Sequence, residues 1–214
     1  MPALFPPWSN TLLKVGASVF LVAFLVAAAA PMVFVRTPYA TGQLNQRQQP
    51  IQFDHRHHTR DDGIDCIYCH FGAKRSSYAG VPPTALCMGC HGQIWNDSAF
   101  LAPLRESYFT KTPIAWRRVT AVPDFVHFDH SAHVQKGVGC VTCHGRIDQM
   151  AEVYQAQPLT MDFCIDCHRS PESRLRPLDR ITDMTWQADG PGQGARLRSE
   201  LGANPSTNCS TCHY

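Results

Sequence analysis

Charge is scarce in this chain. Asp, Glu, Lys and Arg make up 17% of its 214 residues, and the formal net charge is +2. No basic stretch is long enough to hold a polyanion, so no nucleic-acid partner is expected. Alternation is missing too: no segment switches between apolar and polar long enough to read as a useful strand. Sixteen prolines and fourteen glycines interrupt most longer patterns, so regular structure should be limited to short pieces. The expected fold is therefore mostly irregular with short α-helices. A third absence concerns cysteine. None lies outside one repeated pattern, which leaves none for disulfides or for a reactive free thiol.

All ten cysteines fall in that pattern. The chain reads Cys66-Ile-Tyr-Cys69-His70, Cys87-Met-Gly-Cys90-His91, Cys140-Val-Thr-Cys143-His144, Cys164-Ile-Asp-Cys167-His168 and Cys209-Ser-Thr-Cys212-His213. C-x-x-C-H is the attachment signature for a c-type haem. Two thiols add to the two vinyl groups of one haem, and the adjacent histidine lies under the iron as proximal ligand. Five haems c are expected, with His70, His91, His144, His168 and His213 as proximal ligands. Zinc is the rival, because the first two pairs are also spaced C-x2-C-x17-C-x2-C and the next two C-x2-C-x20-C-x2-C. It explains neither the histidine after every pair nor the unpartnered fifth pair.

Val15 to Val35 is a nearly unbroken apolar run, bracketed by Lys14 and Arg36. Twenty-one residues at about 1.5 Å each span roughly 31 Å, close to one bilayer core. A cleavable signal peptide is the other reading of such a segment, with Ala28-Ala29-Ala30 mimicking a cleavage site. Pro31 directly after that cut argues for retention. Residues 1–36 are therefore read as a single-span membrane anchor, residues 37–52 as a Gln/Pro-rich linker, and residues 53–214 as a haem domain. Haem attachment of this kind follows export in bacteria, so the domain is expected on the periplasmic side of the inner membrane. The charge bias around the span adds little to that.

An internal repeat organises the domain. Phe53-Asp54-His55-Arg56-His57-His58 precedes the first signature, and Phe128-Asp129-His130-Ser131-Ala132-His133 precedes the third. Each copy, about 53–91 and 128–168, carries two signatures, and the fifth stands alone at 209–213. The eleven histidines include six outside the signatures: His55, His57, His58, His127, His130 and His133. All six cluster in or beside the two Phe-Asp-His segments, where distal haem ligands are needed. The pattern Phe-x-His-x-x-His resembles small multihaem cytochromes of class III type. That resemblance implies His55 on the first haem, His130 on the third, and His58 and His133 on the second haem of either copy or crossing between the copies. His57 and His127 fall outside the repeat. Four distal histidines leave the fifth haem needing another ligand, and methionine is the usual alternative. Met184 is the expected one, with Met150 and Met161 as competitors.

One N-terminal span opening with Pro7-Trp8-Ser9-Asn10, five signatures, His127 to His133 leading into Cys140-Val-Thr-Cys143-His144-Gly145, and Leu159 to Cys164 make a more specific likeness. The whole chain resembles the pentahaem cytochrome subunit of bacterial alternative complex III, a quinol:acceptor oxidoreductase. The resemblance implies an electron-transfer subunit, not catalytic alone. Its implied partners are polytopic quinol-oxidising membrane subunits, an iron–sulfur subunit, a monohaem cytochrome c subunit and a soluble periplasmic carrier, either cytochrome c or a copper protein. Two other readings compete. A self-contained membrane-anchored quinol dehydrogenase feeding a periplasmic reductase would need a haem open to quinol at the membrane surface. A catalytic multihaem reductase would need an iron with an open sixth position, and the ligand count leaves at most one. The arginines that follow the fourth signature, from Arg169 to Arg198, are expected to neutralise haem propionates.

Overall fold

The computed structural model describes residues 5–214. The chain divides into two compact units, 1–41 and 42–214.

The first unit is built on α1, Ser9–Phe34, 26 residues long. Its apolar residues surround the helix on every side, and none is buried. Such a helix, about 39 Å long at 1.5 Å per residue, is long and apolar enough to cross a bilayer. Pro31 sits inside its last turns, and the helix continues to Phe34. Thr37 then turns the chain, its hydroxyl donating to the Phe34 carbonyl at 2.7 Å, and α2 follows at Pro38–Thr41.

The second unit is short helices joined by irregular chain. They are α3 (Cys66–Cys69), α4 (Thr84–His91), α5 (Ala102–Thr110), α6 (His130–Gln135), α7 (Cys140–His144), α8 (Met161–Arg169), α9 (Gln193–Glu200) and α10 (Cys209–Cys212). A wide π-type turn spans Arg56–Asp61, and a 3-10 turn spans Phe71–Lys74. Among the described residues there is no named strand, only single bridges such as Val126 to His213 and Val138 to Leu175. The absence of alternation in the sequence is matched by an absence of sheet.

Five of these helices, α3, α4, α7, α8 and α10, carry the signatures, and side-chain caps start α3 and the histidine-bearing α6. Asp65 caps α3 by accepting from the Ile67 backbone N–H at 2.8 Å. Asp129 caps α6 by accepting from Ser131 at 2.7 Å and Ala132 at 3.3 Å. Such caps satisfy N–H groups that have no partner inside the helix. A helical turn puts residues three and four apart on one face, which brings both cysteines and the histidine of C-x-x-C-H to the same side.

The polypeptide core is thin. Only nine apolar residues are buried among those described, and no large side chain is fully enclosed. One cluster joins Ala73, Val134 and Ile181, with Ile67 and Ala79 packed against it. It ties together the first copy, the second copy and the segment after the fourth signature. A second cluster joins Leu175, Leu197 and Ala203 beneath Val138 and Leu201.

The stretch expected to be a linker is divided between the units. Gln43 pairs with Gln155 and its side chain donates to the Ala156 carbonyl at 2.8 Å. Gln49 donates to the Arg117 carbonyl at 2.9 Å and accepts from its N–H at 2.9 Å. The glutamines that look like polar spacer satisfy backbone groups of irregular chain, so residues 42–52 belong to the second unit.

Candidate haem-binding site

The two Phe-x-His-x-x-His segments fold alike. Phe53 stacks on His58 at 4.3 Å between ring centroids and meets His55 edge-on at 4.7 Å. Phe128 stacks on His133 at 4.8 Å and meets His130 edge-on at 4.7 Å. One aromatic ring thus sets the plane of two histidines in each copy. The copies share this geometry although the first uses a π-type turn and the second α6.

Each of these histidines faces a signature. The His58 ring lies 6.0 Å from that of His91, His130 lies 6.4 Å from His144, and His133 lies 6.2 Å from His168. A metal–imidazole bond is about 2.0–2.1 Å, so two rings on opposite sides of one metal have centroids roughly 6 Å apart. His55 lies within electrostatic reach of His70. Among the described residues, no three His, Cys, Asp or Glu side chains gather as a zinc cage would require.

Hydrogen bonds select which nitrogen is available. His70 Nδ1 bonds the Gly80 carbonyl at 2.7 Å, His91 the Ile94 carbonyl at 3.1 Å, and His168 the Ser206 carbonyl at 2.7 Å. On the distal side His58 Nδ1 bonds the Asp54 carbonyl at 3.0 Å, His130 the Ser77 carbonyl at 2.9 Å, and His133 the Asp129 carbonyl at 2.7 Å. A carbonyl oxygen only accepts, so Nδ1 carries the proton and Nε2 keeps its lone pair. This is the arrangement in which a backbone carbonyl orients a metal-binding imidazole.

His57 differs. It is exposed, with Nδ1 3.2 Å from the Asp61 carboxylate and Nε2 3.8 Å from that of Asp54. Both nitrogens face carboxylates, as in a surface ion pair.

Burial favours the neutral imidazole at three of them, His55, His133 and His144. It pushes the His55 pKa down to about 4, helped by His70 and His58 alongside. It pushes His144 down to about 4 as well, with His130 and His70 as lesser causes. His133 is lowered, again mainly by burial. Neutral imidazole is the ligand form, and no proton has to leave before it binds a metal.

Among the described residues two buried side-chain polar atoms lack a protein partner, His55 Nδ1 and Arg176 Nε. Arg176 is held by the Asp183 carbonyl at 2.6 Å and by the Trp186 ring, whose centroid is 5.1 Å away. Its side chain presses on Gly139, beside Cys140, where a Cβ would collide with the guanidinium. A buried guanidinium donor next to an attachment cysteine suits a propionate. Arg180 and Arg198, by contrast, are engaged with Asp179, Asp183 and Glu172. Exposed apolar side chains lie in or next to the signatures along the chain, Tyr68 and Phe71 at the first and Ile94 and Trp95 at the second, and Phe125 stacks on His213 at the fifth. The facing imidazoles at the second, third and fourth signatures, each beside a cysteine pair, fit haem.

The fifth signature is held differently. The His127 N–H donates to the Cys212 carbonyl at 2.8 Å, and its ring packs on Tyr214 at 3.7 Å. Phe125 stacks on His213 at 5.8 Å. Met184 is half-buried, on a segment whose hydrogen bonds run to the first and third signatures: Thr182 to Asp65 at 2.6 Å, and Arg176 to the Asp183 carbonyl. Met150 is buried near Gly145, and Met161 is exposed. The contacts of Phe125 and His127 with the fifth signature have no sequence signal, because more than eighty residues separate them from it.

A family model described as cytochrome c7 and related cytochrome c matches residues 126–214, which hold the last three signatures. The multihaem cytochrome c subunit of a menaquinone reductase from Nitratidesulfovibrio vulgaris is 30% identical over 203 residues, covering 92% of this chain and 90% of that protein.

Proposed function

This chain belongs to the multihaem c-type cytochromes, and we propose that it carries five haems c and relays electrons between a quinone pool and a periplasmic acceptor. The histidine pairing supports this reading most directly. Three distal histidines face three proximal ones at 6.0–6.4 Å, with Nδ1 held by backbone carbonyls on both sides wherever those bonds occur. When bound, each haem supplies one-electron exchange between ferric and ferrous iron.

The chain's residues do the rest. The ten cysteines would hold the haems in position, with His70, His91, His144, His168 and His213 as proximal ligands and His55, His58, His130 and His133 as distal ones. Four sites closed on both faces leave no open position for a small substrate, which suits a relay better than a catalyst. For the fifth haem a thioether ligand is assigned to Met184, by ligand count. Of the arginines after the fourth signature, Arg176, with its buried unpartnered Nε, would balance propionate charge.

The protein sits in the inner membrane through α1 with its haem domain on the periplasmic side. Within that frame we assign it to a complex of the alternative complex III kind. Its partners there are polytopic quinol-oxidising subunits, an iron–sulfur subunit, a monohaem cytochrome c subunit and a soluble cytochrome c or copper protein. The similarity to a menaquinone reductase subunit supports exchange with a quinone through partner subunits, and names menaquinone as the first quinone to test.

Purification from native membranes tests the assignment. The expected result is low-spin haem c throughout, co-purifying with polytopic and iron–sulfur subunits and reduced by quinol only in their presence. A chain that purifies alone and reacts directly with quinol would overturn the relay in favour of a self-contained quinol dehydrogenase.

A further inference from the structure

The five attachment sites lie in an order in space that differs from their order in the chain. The segment between Asp54 and Ile64 serves the first and second sites together, since His55 lies beside His70 and His58 faces His91. The first and third sites are joined by two consecutive residues. Ile181 accepts from the Cys140 N–H at 2.9 Å, and the Thr182 hydroxyl donates at 2.6 Å to Asp65, the cap of the helix that opens with Cys66. The Cys66 and Cys140 sulfurs are neighbours.

The third and fourth sites share α6, whose His130 and His133 face His144 and His168. The fourth and fifth share Ser206. Its carbonyl accepts from His168 at 2.7 Å, and its hydroxyl meets Thr211 at 3.1 Å and accepts from the Asn208 N–H at 3.1 Å, at the start of α10. Electrostatic reach between thiols repeats the same neighbours: Cys87 with Cys69, Cys143 with Cys164 and Cys167, and Cys164 with Cys212. Of the ten cysteines only Cys90 and Cys209 are exposed, and they belong to the two sites with one neighbour each.

We propose that the attachment sites form an unbranched line in the order second, first, third, fourth, fifth, with exchange with outside partners at the Cys87–His91 and Cys209–His213 ends. This rests on the five-haem reading. Thioether sulfur lies on the edge of its haem, so neighbouring cysteines place haem edges side by side. One electron taken from a donor at one end is matched by one electron given to an acceptor at the other, with no net change between. The interior sites, first, third and fourth, have no partner-facing role, and the Ile181–Thr182 clasp holds the junction of the two copies.

Cryo-electron microscopy of the haem-loaded complex locates the irons directly. The expected map has the first site between the second and third, and the fourth between the third and fifth. Five irons in another order overturn the line but leave the proposed relay standing. Fewer than five overturn the relay as well, because a gap breaks the line.

A second readout follows direction. In Trp95→Cys the new thiol, close to the second site, takes a ruthenium photoreductant. His55→Met and His133→Met then tag the first and fourth sites with a methionine-to-iron charge-transfer band. After a flash the tag on the first site is expected to bleach before the tag on the fourth. Simultaneous or reversed bleaching would overturn the order.

Discussion

Gly145 follows directly on the proximal histidine of the third site, and replacing it by alanine gives a cost that can be worked from the backbone. Its φ of +65° and ψ of −162° lie in a region reserved essentially for glycine, where another residue costs on the order of 1–3 kcal/mol. A Cβ there would stand 2.6 Å from that of Ala156, well inside the 3.5–4.0 Å at which carbon atoms rest. Relieving that overlap by moving backbone adds about 1–3 kcal/mol. The sum, about 2–6 kcal/mol, is a large share of the ~5–15 kcal/mol that holds an ordinary domain together. Gly63→Ala is the control. Its φ is +68°, but nothing lies within 4 Å of the added carbon, so only the left-handed backbone costs, roughly 1–2 kcal/mol. Guanidinium denaturation of the haem-loaded chain, followed by Soret absorption, reads both. Gly145→Ala should fall below Gly63→Ala by about 1–4 kcal/mol, like ends of the two ranges being compared. Equal midpoints would refute the packing described around His144.

Other perturbations have equally definite outcomes. His133→Ala should convert one haem from low to high spin in low-temperature EPR, whereas His57→Ala, at an exposed histidine between carboxylates, should leave the spectrum unchanged. Met184→Leu should remove a methionine-to-iron band from one haem; a band that persists would hand the fifth site to Met150 or Met161. The Glu172 carboxyl is held below its usual range by its own backbone N–H and by Arg198. Its folded pKa is therefore below the unfolded one, and its stabilisation is present above about pH 4.5 and fades as pH falls below it. Glu172→Gln should then destabilise the chain more at pH 7 than at pH 3, as read by denaturant midpoints at the two pH values.

What the sequence reveals here is what covalent chemistry forces to be local. Two cysteines and a histidine must meet one haem, so their spacing is fixed and visible. Phe-x-His-x-x-His is visible for a similar reason, since one ring orients two imidazoles within a single turn. The carbonyls that fix the tautomers of His70, His130 and His168 come from Gly80, Ser77 and Ser206. Any residue offers a carbonyl, so such partners leave no trace in a sequence. The clasp at Ile181 and Thr182 is hidden likewise, for it joins Cys140 and Asp65 through one backbone oxygen and one hydroxyl. Residues 42–52 read as linker because their composition is polar, yet glutamine amides serve irregular backbone well, and they pack. Met184 is legible only through a ligand count, because a lone thioether donor has no spacing rule of its own.

The central claim is that all ten cysteines hold haem. Intact-mass measurement on the purified, denatured chain after exposure to an alkylating reagent tests it most directly. The account predicts a mass increased by five haems and by no alkyl groups. Alkylated cysteine pairs, or a mass restored to that of the bare chain by a zinc chelator, would contradict it.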